Sequence, residues 1–154
     1  MAKSTKKRVA SNQRVKATIV TKDPENLMHP IWTFDKIDTD GKFAFDPKRD
    51  DFDSDLFVEK LISYSSMTWQ EILRQTHDES KSKNHYLSNL DCLSKEAWER
   101  INKKHFTRDK VENSLFSFAL TNKIRVIGFR DGAEFQVVWY DADHEFSVSI
   151  KRNT

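Results

Sequence analysis

The chain is short of the residues from which several familiar sites are built. Its single cysteine, Cys92, excludes an internal disulfide and suits a reducing compartment. Three glycines in 154 residues leave little with which to cradle a phosphate, and no Walker loop, dinucleotide fingerprint or zinc-spaced Cys/His set occurs. No apolar run approaches the roughly 18 residues that a membrane span needs. The amino terminus is basic but has no apolar h-region of a signal peptide. Neither sign of charge dominates: 26 basic against 24 acidic side chains give a net +2, so charge alone does not announce a nucleic-acid binder. Together these absences lead us to expect a soluble, cytoplasmic protein without a cofactor, long enough for one hydrophobic core.

Charge is unevenly placed. Residues 1–20 carry six basic side chains and no acid, whereas residues 35–55 carry eight aspartates. The first stretch has almost nothing to bury and predicts a disordered arm. Its Lys6, Lys7 and Arg8 are candidates for phosphate contacts, beside the plainer reading of a solvated tail. A single α+β domain is expected over residues 27–150.

Within that domain, Ile31 onward alternates apolar and polar residues, and Phe43-Ala44-Phe45 follows a turn at Thr39-Asp40-Gly41. The pattern predicts an amino-terminal β-hairpin. Asp38-Thr39-Asp40-Gly41 resembles the middle of a calcium loop, but Lys36 and Pro47 stand where such a loop needs Asp and Glu. It reads as a turn. Asp53 or Ser54 can cap a helix over Leu56–Tyr64. Thr68 and Glu71 have capping-box spacing, bracketed by Met67 and Ile72, for a second helix to about Thr76. Asp78 to Asn84 reads as an exposed loop carrying Lys81 and Lys83. Ser94 caps a third helix to about Lys104, with Leu93 set against Trp98.

Leu115 to Phe146 is dense in β-branched and aromatic residues and predicts a meander of Leu115–Leu120, Lys123–Arg130 and Ala133–Tyr140. Asp131-Gly132 suits a two-residue type I′ turn. That turn would pair Arg130 with Ala133, Gly128 with Phe135, Val126 with Val137 and Ile124 with Trp139. One face would then carry Val126, Val137, Phe135, Ile124 and Trp139 as the core. The other, mixed face would carry Arg125, Ile127 and Phe129 opposite Val138, Gln136 and Glu134, and Tyr140 beside Lys123, with His144 beyond. A one-residue slip would exchange the faces. Helices are expected on one side of this antiparallel sheet.

Candidate chemistry concentrates on the mixed face. An arginine such as Arg125 in a central strand costs desolvation unless it is paired or faces a groove. One reading is a salt bridge; the other is a fixed guanidinium for phosphate. Asp141 and Asp143 fall on one side of the strand and His144 on the other, so no metal site is expected there. Trp69, Trp98 and Trp139 read as core, and Cys92 as a buried inert thiol.

The stretch KIRVIGFRDG (Lys123–Gly132), with Arg125 and Arg130, and the trailing VVWYDADHEF, with Tyr140 and His144, resemble the RelE/ParE toxin superfamily. The resemblance covers about residues 54–146. It implies a metal-independent endoribonuclease, the toxin of a toxin–antitoxin or phage-defence system, with RNA as substrate, the ribosome as one setting, and a cognate antitoxin protein as partner. Arg125, with Lys123 or Arg130, would stabilise charge on the scissile phosphate, and His144 or Tyr140 would move protons. The competing expectation is a non-catalytic module that binds a protein or nucleic acid through the basic arm and the mixed face.

Overall fold

The computed structural model describes residues 23–76 and 82–148. The expected basic arm with Lys6, Lys7 and Arg8, and also Lys81, lie outside the described residues. In chain order come β1 (Ile31–Thr33), α1 (Ser54–Ser65), α2 (Trp69–Arg74), β2 (His85–Tyr86), α3 (Lys95–Lys103), α4 (Arg108–Ser114), β3 (Leu115–Ala119), β4 (Arg125–Asp131) and β5 (Glu134–Asp141). The fold is α+β, with one five-stranded, mostly antiparallel sheet in the order β1-β5-β4-β3-β2.

Helix starts follow local hydrogen-bond chemistry. Asp53 caps α1 by accepting from the Leu56 N–H. Thr68 and Glu71 form the complete capping box of α2, each side chain satisfying the other's backbone N–H. Ser94 caps α3 through the Ala97 N–H. A fourth helix, α4, is capped by Thr107. Its sequence, RDKVENS, has one buried apolar residue, Val111, and therefore no apolar period to announce it.

Both faces of the sheet are covered. On one, α1 and α2 bring Tyr64, Trp69 and Ile72 against Phe116, Phe118, Val126, Phe135, Val137 and Tyr140. On the other, α3 and α4 bring Ala97, Ile101 and Val111 against Leu115, Ile127, Phe129, Val138 and Trp139. The expectation of helices on one side only is therefore corrected. Every residue of β3 is buried, which is why its sequence shows a run rather than an alternation.

The expected amino-terminal hairpin is also corrected. β1 pairs in parallel with β5, Trp32 beside Phe135. The chain then follows the same edge of β5: the Asp38 N–H donates to the Val138 carbonyl, and the Tyr140 N–H donates to the Phe43 carbonyl. Asp38 is 1% exposed and accepts from Arg100 Nε and Nη2, both at 2.9 Å, and from the Trp139 indole at 2.9 Å. Burial alone would raise the Asp38 pKa, but the hydrogen bonds from Arg100, Trp139 and the Asp40 N–H together bring it below the usual value.

The meander forms as expected, in a different register. Asp131 pairs with Glu134, Arg130 with Phe135 and Gly128 with Val137, so the loop is Gly132-Ala133 and not Asp131-Gly132. Of these two residues only Gly132 takes positive φ, at 65°, as the first central residue of a type II′ turn does. A β-bulge follows between Ile127 and Gly128: Ile127 faces Trp139, Val126 faces Tyr140 and Arg125 faces Asp141, leaving Val138 as the extra residue. Beyond the bulge the faces of β5 exchange. Trp139 joins Ile127 and Phe129, while Tyr140 joins Val126.

Candidate functional site

A cleft of about 490 Å³ opens at the end of the sheet where β4 begins and β5 ends. His85, Ser117, Arg125, Ile127, Asp141 and His144 are among its lining residues. They come from β2, β3, β4, the end of β5 and the turn after it. His85 stands on the edge strand β2 directly across from Ser117 of β3, which in turn faces Ile127 of β4. Two pairs further along, and so on the same face, Arg125 lies between Ala119 and Asp141.

The short strand β2 is held by what precedes it. Asn84 is buried; its Oδ1 accepts from the Ala119 N–H at 2.9 Å and from the Tyr64 hydroxyl at 3.0 Å, and its Nδ2 donates to the Ile72 carbonyl. The one Tyr64 hydroxyl proton is shared with the Ala119 carbonyl, 2.6 Å away, and burial pushes the Tyr64 pKa up to about 12. Arg125 ties the two flanking turns together. Its Nη1 donates to the Lys83 carbonyl and its Nη2 to the Asn122 carbonyl, both at 3.0 Å. Among the described residues the guanidinium is held by backbone carbonyls and not by a helix carboxylate, and it sits as a positive charge in the cleft wall, 6% exposed. Burial lowers its pKa, against the pull of Tyr64 and Asp141.

Asp141 builds the opposite wall. Its carboxylate accepts from the Glu145 N–H at 2.9 Å and the Phe146 N–H at 2.8 Å, closing the turn that carries His144. Burial raises the Asp141 pKa, partly offset by those two backbone hydrogen bonds and by the nearby His144. His144 itself has φ of 59°, in the left-handed region that a non-glycine residue enters only when its surroundings hold it there. Phe146 anchors the far side of the turn, fully buried with its ring 4.9 Å from those of both Phe43 and Trp139. The imidazole at the tip remains exposed.

Of the expected site residues, the structure brings Arg125 and His144 to one cleft and leaves Tyr140 out. Tyr140 is buried on the opposite face, stacked on Phe52 with ring centres 4.1 Å apart, and its hydroxyl accepts from the Asp53 N–H at 3.0 Å. Arg130 is likewise corrected from a surface cation to a buried one. Its guanidinium lies 4.2 Å from the Trp69 ring centre and donates to the Gly132 carbonyl and to Asn26 Oδ1. Lys123 is exposed and paired with Asp143 at 3.2 Å. Lys83 is half-buried beside the cleft. Cys92, expected to be a buried thiol, is half-buried and lines the cleft.

Sequence reasoning missed His85 and Ser117, and considered Asp141 only as a metal ligand. A two-residue strand is too short to show a period, so nothing local marked His85 as lying in the sheet. Among the described residues, no group of three His, Cys, Asp or Glu side chains is arranged to hold a metal ion, and no helix is long and apolar enough to cross a membrane. No family model, curated protein or solved structure matches the chain.

Proposed function

We propose that this cleft is the active site of a metal-independent endoribonuclease. The observation that carries the reading is the approach of two imidazoles to one cleft, His85 from the edge strand β2 and His144 from the turn after β5, with the Arg125 charge on β4 between those strands. β2 and β5 are three strand spacings apart, about 14 Å at about 4.8 Å per spacing. Two side chains reaching inward over that span leave room for a phosphodiester.

Imidazole is the side chain best suited to gain and lose a proton near neutrality. One of the pair takes the proton from the ribose 2′-OH as the oxygen attacks the neighbouring phosphorus. The other delivers a proton to the departing 5′-oxygen, and the product is a 2′,3′-cyclic phosphate. Arg125 contributes a preorganised positive charge in a wall from which water is largely excluded. Asp141 holds the His144 turn by accepting from the Glu145 and Phe146 N–H groups. His85 thus takes the proton-transfer role that the resemblance would have offered to Tyr140. A cytoplasmic site of action and the role of a toxin with a cognate antitoxin belong to the same reading.

The test is cleavage of single-stranded RNA by the purified protein in excess chelator. Cyclic-phosphate ends, and resistance of a substrate with a 2′-deoxyribose at the cut site, are the expected results. An RNA left intact by wild type retires the reading. A non-catalytic interaction module then takes its place, favoured by Val58 and Ile62. These residues lie one turn apart on the solvent side of α1 and are 51% and 66% exposed.

A further inference from the structure

Ser117 is a buried polar residue of the cleft whose side chain makes no hydrogen bond to another described residue. It sits on β3, a strand buried along its whole length, and is 4% exposed. Its side chain nevertheless lines the cleft, and its hydroxyl has no hydrogen-bond partner among the described residues. Its hydroxyl keeps access to the cleft, because Ser117 Oγ is not one of the fully buried atoms without a partner, and can there donate to an acceptor supplied from outside.

The surroundings indicate which acceptor. Ser117 is directly opposite His85 on the neighbouring strand, and directly opposite pairs have Cβ atoms about 5 Å apart. On its other side stands Ile127, two residues from Arg125 and on the same face. The one acid in the wall among the described residues, Asp141, has both carboxylate oxygens engaged by backbone N–H groups. A donor hydroxyl flanked by an imidazole and a buried guanidinium suits a tetrahedral oxyanion.

We propose that Ser117 forms the floor of a phosphate seat, its hydroxyl donating to a non-bridging oxygen of a phosphate held between His85 and His144. The proposal rests on the nuclease reading only for the identity of the larger substrate. The seat itself binds a phosphate group whether or not the protein cuts RNA. Ser117 then positions the phosphorus in line between the two imidazoles.

The experiment is a titration of the purified full chain with inorganic phosphate, followed by the imidazole proton resonances of His85 and His144. Wild type should show saturable shifts of both rings. Ser117→Ala, which removes an unpartnered hydroxyl and leaves the packing almost unchanged, should keep its melting temperature and bind phosphate roughly tenfold or more weakly, as expected for a hydrogen bond to a charged group. Equal affinity in the variant overturns the proposal even if RNA is cut normally. Failure of wild type to saturate overturns it as well. Ser117-dependent phosphate binding in a protein that cleaves no RNA upholds the seat and rejects the nuclease.

Discussion

Val137 and Trp139, two residues apart on β5, point to opposite faces of the sheet. In an unbroken strand they would share one. The exchange comes from the bulge at Val138, and it decides the composition of the cleft. Trp139 moves to the Arg125 face, where its indole reaches Asp38, and Tyr140 moves away to stack on Phe52.

The bulge depends on Gly128. A Cβ at that position would lie 1.9 Å from the Gln136 carbonyl oxygen, a clash with backbone that no rotamer relieves. Gly128→Ala should destabilise the fold by about 3 kcal/mol, near the top of the usual range for overpacking. Urea unfolding measures it; a midpoint equal to that of wild type would show that β5 does not need the close approach.

Tyr140→Phe separates a catalytic from a structural tyrosine. The change removes the acceptor of the Asp53 N–H at the start of α1. It should cost about 1 kcal/mol of stability and leave RNA cleavage intact. His85→Ala and His144→Ala should each lower the cleavage rate by roughly two to four decades while unfolding remains cooperative. Loss of activity in Tyr140→Phe beside full activity in His85→Ala would reverse the assignment.

Arg130→Ala should behave as a core substitution. It removes the cation over Trp69 and leaves Asn26 and the Gly132 carbonyl without their donor. A loss of about 2 kcal/mol is expected from hydrogen bonds to a charged group, with the salt dependence of RNA binding unchanged. A flatter salt slope in a variant of normal stability would return Arg130 to the surface.

Asp38 predicts an acid limb in the stability profile. Its folded pKa is lowered, so its contribution is present above about pH 4, the unfolded value, and is lost as pH falls through the folded value. Asp141 has the opposite sign: its pKa is raised, so its contribution is greatest below about pH 4 and declines as pH rises through the folded value. Asp38→Asn should therefore flatten the loss of stability below about pH 4, followed as urea midpoints. Arg100→Ala, which strands the Asp38 carboxylate, should cost about 3 kcal/mol at neutral pH. A wild-type midpoint for Arg100→Ala would show that the pair contributes nothing net.

What could be read directly in the residues was local. The caps at Asp53, Thr68 and Ser94 follow from side chains that satisfy backbone donors within one turn, and need nothing else from the fold. The three strands of the meander were equally legible, because β-branched and aromatic residues crowd there between turn residues. α4 was not, since Val111 alone cannot show a helical period. The glycine at 132 marked a turn, but Asp131-Gly132 and Gly132-Ala133 are both sound two-residue loops, and only the pairing of β4 with β5 chooses between them.

The order of residues alone pointed to an α+β domain with its meander and the starts of α1, α2 and α3, and singled out Arg125 and His144. That the sheet is covered on both faces, that β1 runs parallel to β5, and that His85 and Ser117 share a cleft with those two residues emerges only in the folded chain. The reason is physical. Caps and turns are settled by neighbours a few residues apart, whereas a bulge, an edge partner and a second helical layer are settled by which distant surfaces fit together and bury the most apolar area.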